Sequence, residues 1–334
     1  MLKKSLKLIS VILSLTLLLA VSAQAASIAD TWPERDLTVL IPWTAGGGMD
    51  QTARLIWGAI EEEIHADPAM RNVTINMTNM VGGNGWISWI EMFNSDPNYT
   101  FSMGNNPALI TSYMNPSSNI HYTIDDFSFL FNVVSDVNCV AIGAGQTKFG
   151  HTIEEYIEWA KANPGSTIGS SGIGSDRHIM IIKLMQAMGI EFDIPHFAGS
   201  APMFPEVLGS HLDAGMLSVS EFAPRHNEGD AVILCVFSKE RSPWLPDVRT
   251  FEEVFGIPLY GAADRGQHGA AALDPGVRNK IIELAKRATA KPEFHEKAFK
   301  AGLAINMIYG DEQTARFVES VKFIDSLMEF FGWR

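Results

Sequence analysis

Positive charge is scarce in this 334-residue sequence: 25 lysines and arginines stand against 38 aspartates and glutamates, a formal charge of −13 at pH 7. That balance excludes nucleic acid or an anionic membrane as the main partner. Cysteine is scarcer still, with only Cys139 and Cys235. Two cysteines do not build a disulfide scaffold, and each lies in an apolar run, so both read as small buried hydrophobes. Beyond the N-terminal region no uninterrupted apolar stretch approaches the roughly 18 residues of a membrane helix. The mature chain is therefore expected not to insert into a membrane.

The usual cofactor and catalytic motifs are absent as well. No glycine cluster is followed by the lysine and hydroxyl residue of a phosphate-binding loop. Gly83-Asn-Gly85 runs on to Ser88 and Gly172-Ile-Gly174 to Arg177, so neither completes a dinucleotide fingerprint. His295-Glu-Lys-Ala-Phe299 resembles a zinc helix, but Phe299 stands where the second histidine belongs. No serine is framed as in a nucleophile elbow, and the nine histidines form no ligand-like pair at helical spacing. The expectation is a protein with no cofactor, no metal and no catalytic residues.

What is present begins with an export signal. Lys3, Lys4 and Lys7 precede the apolar run Leu8 to Val21, and Ala23-Gln24-Ala25 follows. Basic, apolar, then small-x-small is a secretory signal, with cleavage expected after Ala25. No cysteine lies near that point, so lipid attachment is not expected, and the mature protein reads as soluble and exported.

Hydrophobic residues make up 46% of the chain and charged ones 19%, enough for a sizeable core and against disorder. Short apolar runs alternate with amphipathic ones, the sign of α/β layering. Strands are expected at 37–41, 73–77 and 99–103, with helices at 49–64, near 86–93 and from Pro107. Two apolar runs then flank Ser135-Asp136. The rhythm restarts with helices at 153–162, 176–188 and 200–208 and strands at 166–170, 192–197, 214–219 and 231–237. An apolar-rich stretch at 260–273 leads to a helix opened by Asp274-Pro275, and a last helical region runs from about 311 to 331. Two similar α/β lobes with a cleft between them are the natural reading, joined by short strand-like segments because no low-complexity linker separates them.

Four small-residue turns stand where strands give way to helices. They are Pro42 to Asp50, Gly82 to Gly85, Gly169 to Ser175 and Gly199 to Pro202. At such a place unpaired amides point outward and the helix end is partly positive. Glycine lets the backbone approach a ligand, and serine or threonine adds a hydroxyl donor, so these turns suit an anion without any arginine. Asp50 serves either to cap amides or to meet the ligand. Arg265 serves either as a bidentate carboxylate clamp or as a surface ion pair. Trp43, Trp86 and Trp89, near glycine turns, suit core packing better than ligand stacking. Ser175 and His178, three residues apart, raise a competing hydrolase reading, although no acid partner is evident.

The ordered set of motifs resembles the substrate-binding proteins of the tripartite tricarboxylate transporters, also called Bug receptors. Ile41 to Arg54 carries the first-loop signature, and Ala162 to Gly165, Gly169 to Ser175 with His178, Gly199 to Pro202, Leu208 to Asp213 and Ser238 to Asp247 follow in order. The resemblance spans the mature chain. It implies a periplasmic binding protein of type II fold, each lobe a mixed β-sheet flanked by helices, with domain I at 27–131 plus 259–334 and domain II at 132–258. It further implies a monomer that closes on a small di- or tricarboxylate and delivers it to a permease of one large and one small subunit.

Under that resemblance one carboxylate falls to Thr44, Ala45, Gly46, Gly47 and Asp50, and the other to Ser171, Gly174, Ser175, His178 and Ser200, with Asp213 and Ser218 as walls. Trp43, Gly83, Asn84, Asn105 and Arg265 complete the candidate set. The chain departs from the family pattern at Met80 to Gly85, usually proline-glycine-alanine-glycine-glycine, and at Ala45, where proline is common. In the type II arrangement the strand of Cys139 would lie beside that of Cys235, which leaves a single disulfide open. A sensory receptor for the same ligand class would carry the same features.

Overall fold

The computed structural model describes residues 28–197 and 199–334. The export signal, with its expected cleavage after Ala25, lies outside the described residues. The expected α/β alternation is observed from end to end.

The first half is built on a short helix α1 (Ile28–Thr31), then β1 (Leu37–Ile41), α2 (Gly48–His65), β2 (Ile75–Asn79), α3 (Trp86–Asn94), β3 (Thr100–Asn106) and α4 (Ala108–Met114). Burial follows the helical period: Met49, Ala53, Ile56, Trp57, Ile60 and Ile64 form the inward stripe of α2. The next strand, β4 (Phe127–Gly143), is 17 residues long, so the two apolar runs around Ser135-Asp136 are one element.

The second half contains α5 (Ile153–Ala162), β5 (Ile168–Gly169), α6 (Asp176–Met188), α7 (Phe204–Leu208), β6 (Ala214–Ser218), α8 (Val219–Glu228), β7 (Ala231–Val236) and α9 (Phe251–Phe255). The chain then returns through β8 (Ala262–Ala270), α10 (Pro275–Thr289), α11 (Pro292–Lys300), β9 (Ile305–Tyr309) and α12 (Gly310–Ser326). Starts are set by local chemistry. Thr152 and Glu155 form a reciprocal capping box on α5, and the Asp274 side chain caps α10 ahead of Pro275.

Strand β4 joins two sheets. Its early part, to Val137, pairs with β8, which in turn pairs with β3, and β1 lies parallel between β2 and β3. From Asn138 onward β4 pairs with β6 and β7 instead, while β5 runs parallel to β6. Helices cover both faces of each sheet, and the cores are correspondingly separate. On the first sheet, Trp57 stacks on Phe101 at 5.8 Å on the side of α2 and α10, and Phe129 stacks on Phe317 at 3.9 Å on the side of α3, α4 and α12. The second sheet is packed by Tyr156, Met180 and Phe237 on one face and by Met203 and Phe222 on the other.

Two expectations change, and the free, buried thiols match the reading of both cysteines as small buried hydrophobes. The run 192–197 lies parallel to β5 through single bridges at Asp193 and His196 rather than as a strand; Pro195 has no amide to donate to a ladder. The expected helix at 200–208 breaks into a 3-10 turn (Ala201–Met203) and α7, because Pro202 and Pro205 remove amides. The strands of Cys139 and Cys235 are neighbours, but both thiols are free. Cys139 is opposite Val236 and Cys235 opposite Val140, and that one-residue offset sends the side chains to opposite faces. Cys139 packs with Met203 and Phe222, Cys235 with Phe237 and Phe251, and burial raises both thiol pKa values.

Candidate ligand-binding site

The first glycine turn leaves β1 at Ile41 and enters α2 at Gly48, with Thr44, Ala45, Gly46 and Gly47 exposed. Gly46 has φ of +79°, a conformation that costs side-chain-bearing residues energy. Its amide donates to Asp50 Oδ2 at 2.9 Å. Asp50 also accepts from Asn79 Nδ2 at 3.0 Å and from Arg54 Nε at 3.0 and 3.1 Å. Burial pushes its carboxyl pKa up, but bonds from Arg54, Gly46 and Asn79 outweigh that and hold it below the usual range. Both oxygens are thus engaged inside the turn, so Asp50 braces it. No side chain caps the amides at the start of α2. They are left for something else.

Arg265 sits beside those amides. It lies on β8 opposite Asn105 of β3 and Val134 of β4, and only 4% of it is exposed. Nη2 donates to Asp136 Oδ2 at 2.6 Å, and Asp136 in turn accepts from the Ser220 amide at 3.1 Å and from the Ser220 hydroxyl. Nη1 has no partner. A methyl built on Gly48 would stand 2.6 Å from that nitrogen, so the guanidinium lies against the first residue of α2. Asn105 Oδ1 is buried and unpartnered too. Arg265 is therefore a buried ion-pair member with a spare donor, not a surface pair. A cation at the positive end of a helix is electrostatically unfavourable, and an anion placed between them would relieve both.

The third turn is organised differently. Gly172 and Gly174 have φ of +126° and +74°, and Ser175 caps α6. The Ser175 hydroxyl donates to Gly172 O at 2.8 Å and accepts the His178 amide at 3.1 Å. Gly174 N donates to His178 Nδ1 at 3.0 Å, which places the imidazole proton on Nε2. Burial, assisted by nearby His196, pulls the His178 pKa down to about 4. Ser175 and His178 are each tied to backbone groups.

Arg177, which the sequence reading passed over, is the centre of this region. It is buried, donating through Nη1 to Ser171 Oγ at 3.2 Å and through Nη2 to Ser218 Oγ at 2.7 Å and Glu221 Oε2 at 2.6 Å. Because both serine oxygens accept from Arg177, their protons remain for a ligand. Little in the local sequence marks Arg177: Ser171 is 6 positions before it, but Ser218 and Glu221 lie 41 and 44 positions after it.

The remaining candidates divide between these two regions. Asn84, at φ +52°, donates to Ser112 Oγ at 2.7 Å, and a methyl on Gly174 would touch Thr111 at 2.8 Å, so the second and third turns meet across α4. Gly83 is exposed beside Asn84. Trp43 packs edge-on against Trp89 at 6.2 Å, at the rim of the core. Ser200 is half-buried at the start of its 3-10 turn. The Arg265 and Arg177 regions are linked through Asp136, Ser220 and α8, which carries Glu221.

Residues 70–328 match the family described as tripartite tricarboxylate transporter family receptor. The chain belongs to that family of solute-binding receptors. A UPF0065 protein of Cupriavidus necator is 25% identical over 94% of this chain and 92% of its own length. BugT of Bordetella pertussis is 23% identical over 87% of each. Among solved structures, an R. palustris protein with adipate aligns with a TM-score of 0.79 at 18% identity, covering 90% of this chain and 98% of that one. MatC of Rhodopseudomonas palustris with bound malate aligns at 0.71 and 16% identity, with the same coverage. These likenesses establish a periplasmic binding-protein fold. Among the described residues of this receptor, no helix is long and apolar enough to cross a membrane.

Proposed function

We propose that the protein is a periplasmic receptor for a small organic carboxylate of the di- or tricarboxylate class, without a catalytic step. The observation that carries the reading is Arg265: a buried guanidinium with a free Nη1 beside the uncapped amides of α2. One carboxylate lies between them, with the Thr44 hydroxyl and the Ala45 amide as further donors, since the Gly46 and Gly47 amides are already engaged within the turn. The other end of the ligand meets the protons of Ser171 and Ser218, whose oxygens Arg177 holds. Hydrogen bonds to a charged group contribute roughly 1.5–3 kcal/mol each, and micromolar affinity needs about 8 kcal/mol, so four to six suffice after ordering costs.

Residues 27–131 with 259–334 form one closing lobe and 132–258 the other, and closure presents a surface to a permease of one large and one small subunit. The monomeric receptor reaches the periplasm after cleavage behind Ala25. Adipate and malate, carried by the two structural neighbours, support the ligand class. The hydrolase alternative is weakened because the Ser175 hydroxyl donates to a backbone carbonyl and His178 Nδ1 accepts a backbone amide. Calorimetric titration with a panel of di- and tricarboxylates tests the reading. Saturable heat with at least one acid is expected, and none with any member overturns it.

A further inference from the structure

A pocket of about 190 Å³ opens between the end of β3, α6, α12 and the start of β8 and is lined by Asn106, Asn138, Asp176, Asp264 and Lys183. It lies across the sheet from the carboxylate site. Asp264 and Arg265 are consecutive in β8, so their side chains leave opposite faces. Asn138 is fully buried, and its Nδ2 donates to Asp176 Oδ2 at 2.7 Å. A carboxylate only accepts, so this bond fixes which end of the amide is the oxygen. Among the described residues Asn138 Oδ1 has no partner. It faces Gly261, which also lines the pocket: a methyl built there would stand 2.8 Å from that oxygen.

Other lining groups repeat the pattern. Asn106 donates through Nδ2 to Ser320 Oγ at 2.8 Å, and its Oδ1 is likewise buried and unpartnered. Asp264 accepts from Ser135 at 2.5 Å and Arg316 at 2.6 Å, yet burial still holds its carboxyl above the usual range. The interior is thus rich in acceptors and short of donors, a costly state for buried oxygens. At the rim, Lys183 Nζ donates to Tyr260 O at 3.2 Å and stands 4.7 Å from the centre of the Phe323 ring, and burial pulls its pKa down. Ile179 and Met180 supply an apolar wall.

We propose that this pocket binds a primary ammonium on a short aliphatic stem, its N–H groups on the Asn138 and Asn106 oxygens and the Asp264 carboxylate, its stem against Ile179 and Met180. The site does not depend on the carboxylate reading.

The test is titration of the purified protein, carrying ¹³C-methyl methionine, with n-butylammonium chloride, sodium chloride and neutral butanamide. Met180→Leu assigns the reporter resonance. A saturable shift of the Met180 methyl is expected with butylammonium, at least tenfold weaker with butanamide and absent with sodium chloride. Gly261→Ala, whose methyl would press on the Met180 sulfur and the Asn138 oxygen, and Asn138→Ala, which removes the acceptor, each weaken it at least tenfold. No saturable shift in the wild type overturns the proposal, and that measurement stands whether or not the variants fold. Equal affinity for butanamide, or binding that survives both substitutions in folded protein, overturns it as well. Carboxylate titration of the same samples separates this outcome from the fate of the first site.

Discussion

Two glycine turns at helix starts hold their arginines in opposite ways. At the turn before α2, Arg265 gives one arm to Asp136 and keeps Nη1 free against Gly48. At the turn before α6, both terminal nitrogens of Arg177 are occupied by Ser171, Ser218 and Glu221. The first arrangement offers charge directly to a ligand. The second converts charge into the orientation of neutral hydroxyls, which donate without bringing a second bare cation into the cleft. A guanidinium beside a glycine turn is thus read by what its nitrogens already touch.

The largest expected effect comes from breaking the direct half. Arg265→Ala removes the free donor and leaves Asp136 buried with only Ser220, so affinity should fall by about 3 kcal/mol or more. The same change should lower folding stability by roughly 3–5 kcal/mol, because an uncompensated buried carboxylate remains. Titration calorimetry together with a thermal melt reads both. A folded Arg265→Ala variant of unchanged affinity would sink the first site. Arg265→Lys should keep the protein folded yet lose the planar geometry, giving an intermediate affinity.

The α6 turn meets its acid limit at a higher pH than the α2 turn, where Asp50 holds its charge to below the usual carboxylate range. The unfolded chain protonates His178 near pH 6.5, whereas the folded protein resists until about pH 4. Between those values the unfolded state binds the extra proton, so stability declines as pH falls through that window. At about 1.4 kcal/mol per pKa unit, the loss is on the order of a few kcal/mol. His268, buried against Phe129 with its pKa pulled down to about 3, adds a similar slope from the first sheet. Melts from pH 7 to 4 on wild type and His178→Asn should show a shallower decline in the variant. Parallel curves would mean that His178 does not set the limit.

Much of this was legible in the sequence, for a physical reason. The starts of α5 and α6 were readable because Thr152 and Ser175 cap them, and the end of α6 because Gly189 closes it in the left-handed conformation. The start of α10 was marked by Asp274-Pro275. By contrast α8 carries Pro224 inside a polar run, so its helicity depends on packing against β4 and β7 rather than on its own residues. The turns at the starts of α2 and α6 were visible as glycine clusters, yet their division of labour was not. It depends on Asp136, 129 positions from Arg265, and on Ser218 and Glu221, more than forty from Arg177. The separation of the two thiols rests on a one-residue register between strands, which spacing along the chain does not encode.

Breaking the indirect half should cost less than breaking the direct one. Arg177→Met keeps much of the buried volume but frees Ser171 and Ser218 to turn, and affinity should drop by about 1–3 kcal/mol through their misorientation. If Arg177 acts only through the serines, its effect and that of Ser171→Ala will not add, and a double-mutant cycle will return a coupling of at least about 0.5 kcal/mol. Simple additivity would place Arg177 in direct contact with the ligand and erase the contrast between the turns.

The smallest effect distinguishes two serines four positions apart. Ser171 accepts from Arg177 and keeps its proton for the ligand, so Ser171→Ala should weaken binding by about 1.5 kcal/mol with little change in melting temperature. Ser175 spends its proton on Gly172 and its oxygen on the His178 amide, so Ser175→Ala should cost about 1 kcal/mol of stability, as lost helix caps do. Its affinity should stay within error. If Ser175→Ala instead loses affinity and keeps its melting temperature, the hydroxyl must leave Gly172 on binding, and the turn before α6 then remakes its hydrogen bonds around the ligand rather than meeting it ready-made.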